Sequence, residues 1–407
     1  MDKINSGDTS WLLASTALVM LMTPALGFFY GGLVRKKNVL ATIMHSFFIL
    51  ALISVQWVLW GYSLAFGPDR GGLIGGLDWI ALKGVGQEPS AYAPTVPHLA
   101  FMAFQMMFAV ITPALITGAF AERKRFKAFV MFTLLWATLV YDPVAHWVWG
   151  GGWLGKLGAL DFAGGTVVHI TSGVSALVAA WVLGRRKGFG AEPIEPHDAT
   201  MVVLGASLLW FGWFGFNAGS ALSSGGLAAS AFVVTNTAAA MAALTWLTVS
   251  WLHKGAPSVL GAAAGAVAGL VAITPASGYV DVSASIVIGF AAGVCCYFGI
   301  QIAKRLNVDD ALDVFGVHGV GGTVGALLTG VFATVAVNPA AANGLLYGNP
   351  GQLAIQGVAV LATIGYSAVM TFVILKVLDL FVGLRVADEE EVLGLDVSQH
   401  REAAYTI

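Results

Sequence analysis

Charge is what this 407-residue chain has least of: Asp, Glu, Lys and Arg make up 10% of it, against about 25% in an ordinary soluble domain. So small a charged fraction leaves too little polar surface to cover a soluble fold. The net charge is −2 and no basic stripe runs through the sequence, which excludes nucleic acid as a partner. There are two cysteines, Cys295 and Cys296, adjacent in an apolar run. Neighbours of that kind exclude a disulfide framework and zinc-ligand spacing, and leave the redox compartment open. The N-terminus does not read as a secretory signal, because "MDKINSGDTS" is not a basic leader and the apolar run after it is longer than a signal core; a retained first span is expected. What the chain has in quantity is apolar residues (57%), 51 glycines and 13 tryptophans. That composition suits a helical membrane protein, in which glycine lets helices approach closely and tryptophan favours the interface.

A membrane-spanning helix needs roughly 20 apolar residues. Runs of that kind lie near 10–34, 39–66, 98–121, 127–149, 162–184, 199–221, 227–252, 258–274, 282–303, 314–336 and 352–384, the eighth short and the last long. The pattern predicts an all-α integral membrane protein with eleven spans. Lysine and arginine orient it. Alternate connections and the tail hold 16 of the 20 basic residues, and the other side holds only Lys3, Arg70, Lys83 and Lys156. By the positive-inside rule the N-terminus lies outside and the C-terminus is cytoplasmic. The chain then divides into a membrane region over 1–384 and a cytoplasmic tail over 385–407.

Two spans carry ionisable residues that the bilayer core would not tolerate without a reason. The fifth opens "LDFAGGTVVH" (160–169) and the tenth "LDVFGVHGVGG" (312–322). Both begin Leu-Asp, both place a histidine soon after, and both are rich in glycine. Five spans separate them, so they cross in opposite directions, as in an inverted repeat with its substrate site at the repeat interface. The two halves would be about 10–184 and 199–336, with the eleventh helix (352–384) outside them. Around His169 the helical neighbours are Gly165, Thr166, Ser172, Gly173 and Ala176; after His318 they are Gly321, Gly322 and Gly325. Small-residue stripes of this kind support close helix contact. If the two surfaces meet, the imidazoles meet. The alternative is two unrelated core histidines, each bonded to a carbonyl.

Two touching neutral imidazoles share one hydrogen bond and keep one outward N–H and one outward lone pair. They can guide a small polar solute or pass a proton. They make a poor metal site, since no third ligand lies at useful spacing. No nucleophile elbow or carboxylate pair supports hydrolysis, so neither an enzyme nor a cofactor is expected. Asp161, ahead of "FAGG", is placed to cap the fifth span's free amides, and as an acid near the outer mouth it also favours a nearby cation. Aromatic residues mark other span ends: Trp149 in "HWVWGGGW", Phe216 and Ser220 in "FGWFGFNAGSA", Phe104 and Phe108 in the outer half of the third. Such rings usually form an interface belt. Trp149 could also attract a cation through its ring face, and Ser220 could accept a hydrogen bond.

The segments "GFFYGGLVRKKNVL", "AHWVWGGGWLGKLGALDFAGGTVVHI", "WFGWFGFNAGSA", "AITPASGYV", "DVFGVHGVGG" and "VGLRV…GLDVSQH" together resemble the ammonium transporter (Amt/Mep/Rh) family, its bacterial and archaeal Amt branch in particular, along nearly the whole chain. The resemblance implies eleven-helix protomers with two inverted five-helix halves, assembled as homotrimers in the cell membrane with one pore per subunit. It implies that Trp149 and Ser220, with Phe104 in the wall, recruit ammonium at an outer site. Phe108 and Phe216 would be the gate, His169 and His318 the twin histidines of the pore, and Asp161 the acid supporting the outer site. It further implies that the "GLDVSQH" tail is regulatory and lies against the cytoplasmic face, where PII-type (GlnK) signal proteins dock. Composition alone would make that tail a solvated appendage. The substrate expected is ammonium or ammonia, with methylammonium left open. An ammonium sensor signalling through its tail is the competing reading, and measured substrate flux separates the two.

Overall fold

Where no water reaches, every backbone N–H and C=O must be paired within the segment, so long apolar runs fold as helices. The computed structural model describes residues 4–405; Lys3, one of the four basic residues on the sparsely basic side, lies outside them. Among the described residues ten helices are long and apolar enough to cross a membrane. They are α1 (Ser6–Leu33), α2 (Lys36–Phe66), α3 (His98–Phe120), α4 (Phe126–Leu157), α5 (Gly165–Leu183), α6 (Ala199–Gly219), α7 (Gly226–Lys254), α9 (Val282–Arg305), α10 (Phe315–Phe332) and α11 (Pro350–Phe381). Where the sequence predicts its short eighth span stands α8 (Val259–Ile273), apolar but only 15 residues long. At 1.5 Å per residue that is about 22 Å, less than the roughly 30 Å of hydrocarbon.

Helix starts follow local chemistry. Asn5 accepts the Asp8 N–H at 3.0 Å, Asp198 the Met201 N–H at 2.9 Å and Asp281 the Ala284 N–H at 2.8 Å. Each takes up one of the free amides of a helix's first turn. The long connection after α2 carries two small antiparallel ladders, β1 (Asp69–Arg70) with β2 (Ile74–Gly75) and β3 (Pro89–Ser90) with β4 (Ala93–Pro97). These short ladders are confined to that connection, and the membrane-length elements are all helical.

Basic connections gather at one end of the bundle and are neutralised there. Arg35 meets Glu122 at 2.5 Å, Arg186 meets Asp309 at 2.8 Å and Glu122 at 3.6 Å, and Arg123 lies 4.0 Å from Asp309. Burial works against the charge of Glu122 and of Asp309, but Arg186 together with Arg35 or Arg123 outweighs it and holds both carboxyls below their ordinary range. The tail docks on this same end. It forms α12 (Asp388–Leu393) and α13 (Leu395–His400). Asp396 accepts the Leu40 and Ala41 N–H groups at the start of α2, and Glu391 accepts from Lys187 N–H and Arg385, both at 2.6 Å. Residues 388–400 are therefore packed, not a loose solvated appendage.

The crossing of α5 and α10 places the histidines. A Cβ at Gly173 would sit 2.1 Å from the Gly319 nitrogen, and one at Gly322 would sit 2.9 Å from the Gly165 carbonyl oxygen. Only residues without side chains let two backbones meet this closely. Gly325 serves a different contact, since its Cβ would strike the Ala272 carbonyl of α8 at 2.1 Å. The stripe after His318 is thus divided between α5 and α8.

Candidate functional site

Both α5 and α10 open with a π-helical turn, Gly165–Ile170 and Phe315–Gly319, and each turn carries one of the histidines. Such turns are often found at functional sites. A buried acid caps each. Asp161 accepts the N–H groups of Gly164 (2.8 Å), Gly165 (2.6 Å), Thr166 (2.8 Å) and Val167 (3.2 Å), and the Thr166 hydroxyl as well. Asp310 accepts the Phe315 N–H at 2.7 Å. This corrects the repeat alignment made from sequence, which paired Asp161 with Asp313. Asp161 and Asp310 each precede their histidine by eight residues, and Asp313 instead turns the chain at φ +58°. The shared Leu-Asp dipeptide therefore does not mark the capping acid of the tenth span; the distance to the histidine does.

The two imidazoles meet. His169 Nδ1 and His318 Nδ1 are 3.2 Å apart, with ring centroids 5.3 Å apart and planes 24° from parallel. They are 1% and 4% exposed. A 3.2 Å separation requires one Nδ1 to donate and the other to accept, so the rings are opposite tautomers. His169 Nε2 has no hydrogen-bond partner among the described residues. Both rings border a narrow gap of about 10 Å³ whose other lining is apolar and includes Met22, Leu26, Ile111 and Phe216. A void of that size is about one water sphere. His318 also borders a larger cavity, about 540 Å³, which opens among Arg186, Lys304, Asp310 and Asp313. The pair thus borders a narrow, mostly apolar gap, and His318 also borders a cavity with charged walls.

On the other side of His169 the predicted aromatic residues come together. The Phe108 and Phe216 rings are 4.3 Å apart, Phe104 packs on Phe108 at 5.0 Å, and Trp149 meets Phe108 edge-on at 5.9 Å. Phe216 then lies 6.0 Å from His169. Phe104, Phe108 and Phe216 are at most 1% exposed, whereas Trp149 and Ser220 are part-exposed. The Trp149 indole N–H donates to the Asp161 carbonyl at 2.9 Å, and the Ser220 hydroxyl donates to the Phe216 carbonyl at 2.8 Å. Asp161 is reached by the site through that carbonyl, since its carboxylate is already occupied by the helix cap. Sequence reasoning missed Trp213, stacked on His169 at 5.5 Å and held by its N–H to Thr274 at 2.9 Å. Its place one turn before Phe216 in "WFGWFGF" was the available signal. No cluster of potential metal ligands occurs among the described residues.

A multi-pass helical membrane protein with a buried imidazole pair beside a narrow, mostly apolar gap is what this architecture defines. The family model described as the Ammonium Transporter Family matches residues 10–405. The chain is 56% identical over 400 residues to an ammonium transporter of Bacillus subtilis, covering 98% of each, and 50% identical over 403 residues to ammonium transporter Amt1 of Archaeoglobus fulgidus, covering 99% of this chain and all of that one. The crystal structure of Candida albicans Mep2 superposes with a TM-score of 0.91 at 39% identity, over 96% of this chain and 88% of that one. The chain belongs to the ammonium transporter family.

Proposed function

We propose that this protein conducts ammonium nitrogen across a cell membrane by stripping the ion of its charge before the pore. Trp149 and Ser220, with Phe104 in the wall, recruit NH4+ at the outer mouth. Phe108 and Phe216 gate the entrance below it. Ammonia then passes His169 and His318 as a neutral molecule. The observation that carries this reading is the 3.2 Å imidazole pair beside a gap of about 10 Å³. Such a gap has no room for a hydration shell, and a bare cation at the bilayer centre costs between about 2.5 and 17 kcal/mol. Ammonium can leave a proton behind; potassium has none to lose. The paired rings keep one N–H and one lone pair free, so they can receive a small donor-acceptor solute or relay the proton left behind.

The same reading takes α8 as a short span, making eleven, in two inverted halves, with the basic end and the docked tail in the cytoplasm. It takes the protein to work as a homotrimer, with the tail end as the docking face for a PII-type signal protein. Replacing both histidines with leucine tests the core of it. Ammonium-driven current in proteoliposomes should be lost while the purified variant unfolds at its usual temperature. Unchanged current would remove the imidazoles from the mechanism.

A further inference from the structure

Gln356 lies on α11, outside the two repeated halves, and is 1% exposed. Its carboxamide is fully occupied. Oε1 accepts the Leu160 N–H at 2.8 Å and the Gln352 amide at 3.3 Å. Nε2 donates to the Leu160 carbonyl at 2.8 Å and to the Ala326 carbonyl of α10 at 3.0 Å. One side chain therefore pairs both polar groups of a single residue, as a neighbouring strand would. Gln352, one turn earlier, donates to the Gly158 carbonyl at 3.0 Å.

The clamped residue matters because of its neighbour. Leu160 is bonded to Asp161, whose carbonyl holds the Trp149 indole N–H and whose carboxylate caps α5. The stretch from Gly158 to Gly164 has no regular secondary structure, and both glycines have left-handed φ, 94° and 119°. Within it the Asp161 carboxylate is tied to α5 and the Phe162 N–H to the Pro275 carbonyl at 3.1 Å, while the polar backbone groups of Leu160 are paired by Gln356. We propose that Gln356 is a positioning residue of the outer site, fixing Leu160–Asp161 and through the Asp161 carbonyl the plane of the Trp149 ring. The proposal rests on reading Trp149 as the recruiting ring, whose face must lie within about 6 Å of the cation to attract it. Glutamine suits the task because it donates and accepts at once. Leucine would leave the Leu160 N–H and the Leu160 carbonyl without the partner that Gln356 supplies, and glutamate could accept but not donate.

The test compares Q356L, Q356E, W149L and the Q356L/W149L double variant, reading current against ammonium concentration in proteoliposomes. Q356L should raise the half-saturating concentration about tenfold, with the maximal current per folded protein little changed. Q356E keeps the bond from the Leu160 N–H but sets a carboxyl oxygen against the Leu160 and Ala326 carbonyls, so it should raise the half-saturating concentration as Q356L does, and it serves as the test if Q356L does not fold. In the W149L background the Gln356 change should add nothing further, because the effect acts through the ring. A Gln356 variant with unaltered half-saturation, or one whose effect multiplies undiminished onto W149L, overturns the proposal while leaving the recruitment reading intact. An unaltered W149L would instead remove that reading, and the proposal with it.

Discussion

Adding one methyl group at Gly173 should uncouple the imidazoles. The new Cβ would lie 2.1 Å from the Gly319 nitrogen, 2.4 Å from the Gly319 Cα and 2.9 Å from the His318 carbonyl carbon, where ordinary contact begins at 3.4 Å. All three neighbours are backbone, so no side chain can swing aside. The helices must therefore separate by about 1.3 Å along that line. The Nδ1–Nδ1 separation of 3.2 Å would then pass the roughly 3.5 Å at which a hydrogen bond ceases to count. Overpacking of this kind costs about 1–3 kcal/mol, toward the upper end here because the backbone itself has to move. G173A should unfold at a lower temperature in detergent, and ammonium-driven current per folded protein should fall about tenfold or more. Ser172 is the control, since its hydroxyl bonds only within its own helix, to the Val168 and His169 carbonyls. S172A should conduct close to wild type. A G173A protein with wild-type current and wild-type melting would refute the reasoning, because the helix crossing would then not be what holds the rings together.

The two capping acids carry further consequences. Asp161→Ala removes the acceptor from four amides at the start of α5; a lost cap costs about 0.5–2 kcal/mol, and thermal unfolding should show at least that loss. Asp310 lies between the membrane-spanning segments, and burial, reinforced by Asp313, pushes its carboxyl up to about 7 from the ordinary 3.8. The folded protein therefore keeps a proton that the unfolded chain releases, so stability falls as pH rises from about 4 to about 7, by ~4 kcal/mol, and then levels off. D310N should abolish that fall, measured as the difference from wild type in melting temperature across the range; an identical pH profile would contradict it.

The helices were legible because a bilayer leaves a chain so few choices. Length and apolarity alone locate ten of the eleven predicted spans, and the eighth appears as a helix too short to be recognised by length. The basic connections were legible too, since they share one end. What the sequence hid was register and reach. Leu160-Asp161 and Leu312-Asp313 look alike, but the acid that caps a π-helical turn is set by its distance to the free amides, which picks out Asp310. The eleventh helix reads as featureless apolar sequence, and nothing in "PGQLAIQG" marks Gln356 as reaching a loop 196 residues away. Trp213 was overlooked for the opposite reason: in a segment crowded with aromatics, no local feature distinguishes the ring that stacks on an imidazole.

The most direct measurement is a paired substrate jump on purified protein in proteoliposomes, recording the current from ammonium and then from an equal concentration of potassium. A passage that admits only solutes able to surrender their charge gives a current with ammonium and none with potassium. A potassium current of comparable size would mean that a hydrated or coordinated cation passes the imidazoles intact, and would contradict the account at its centre.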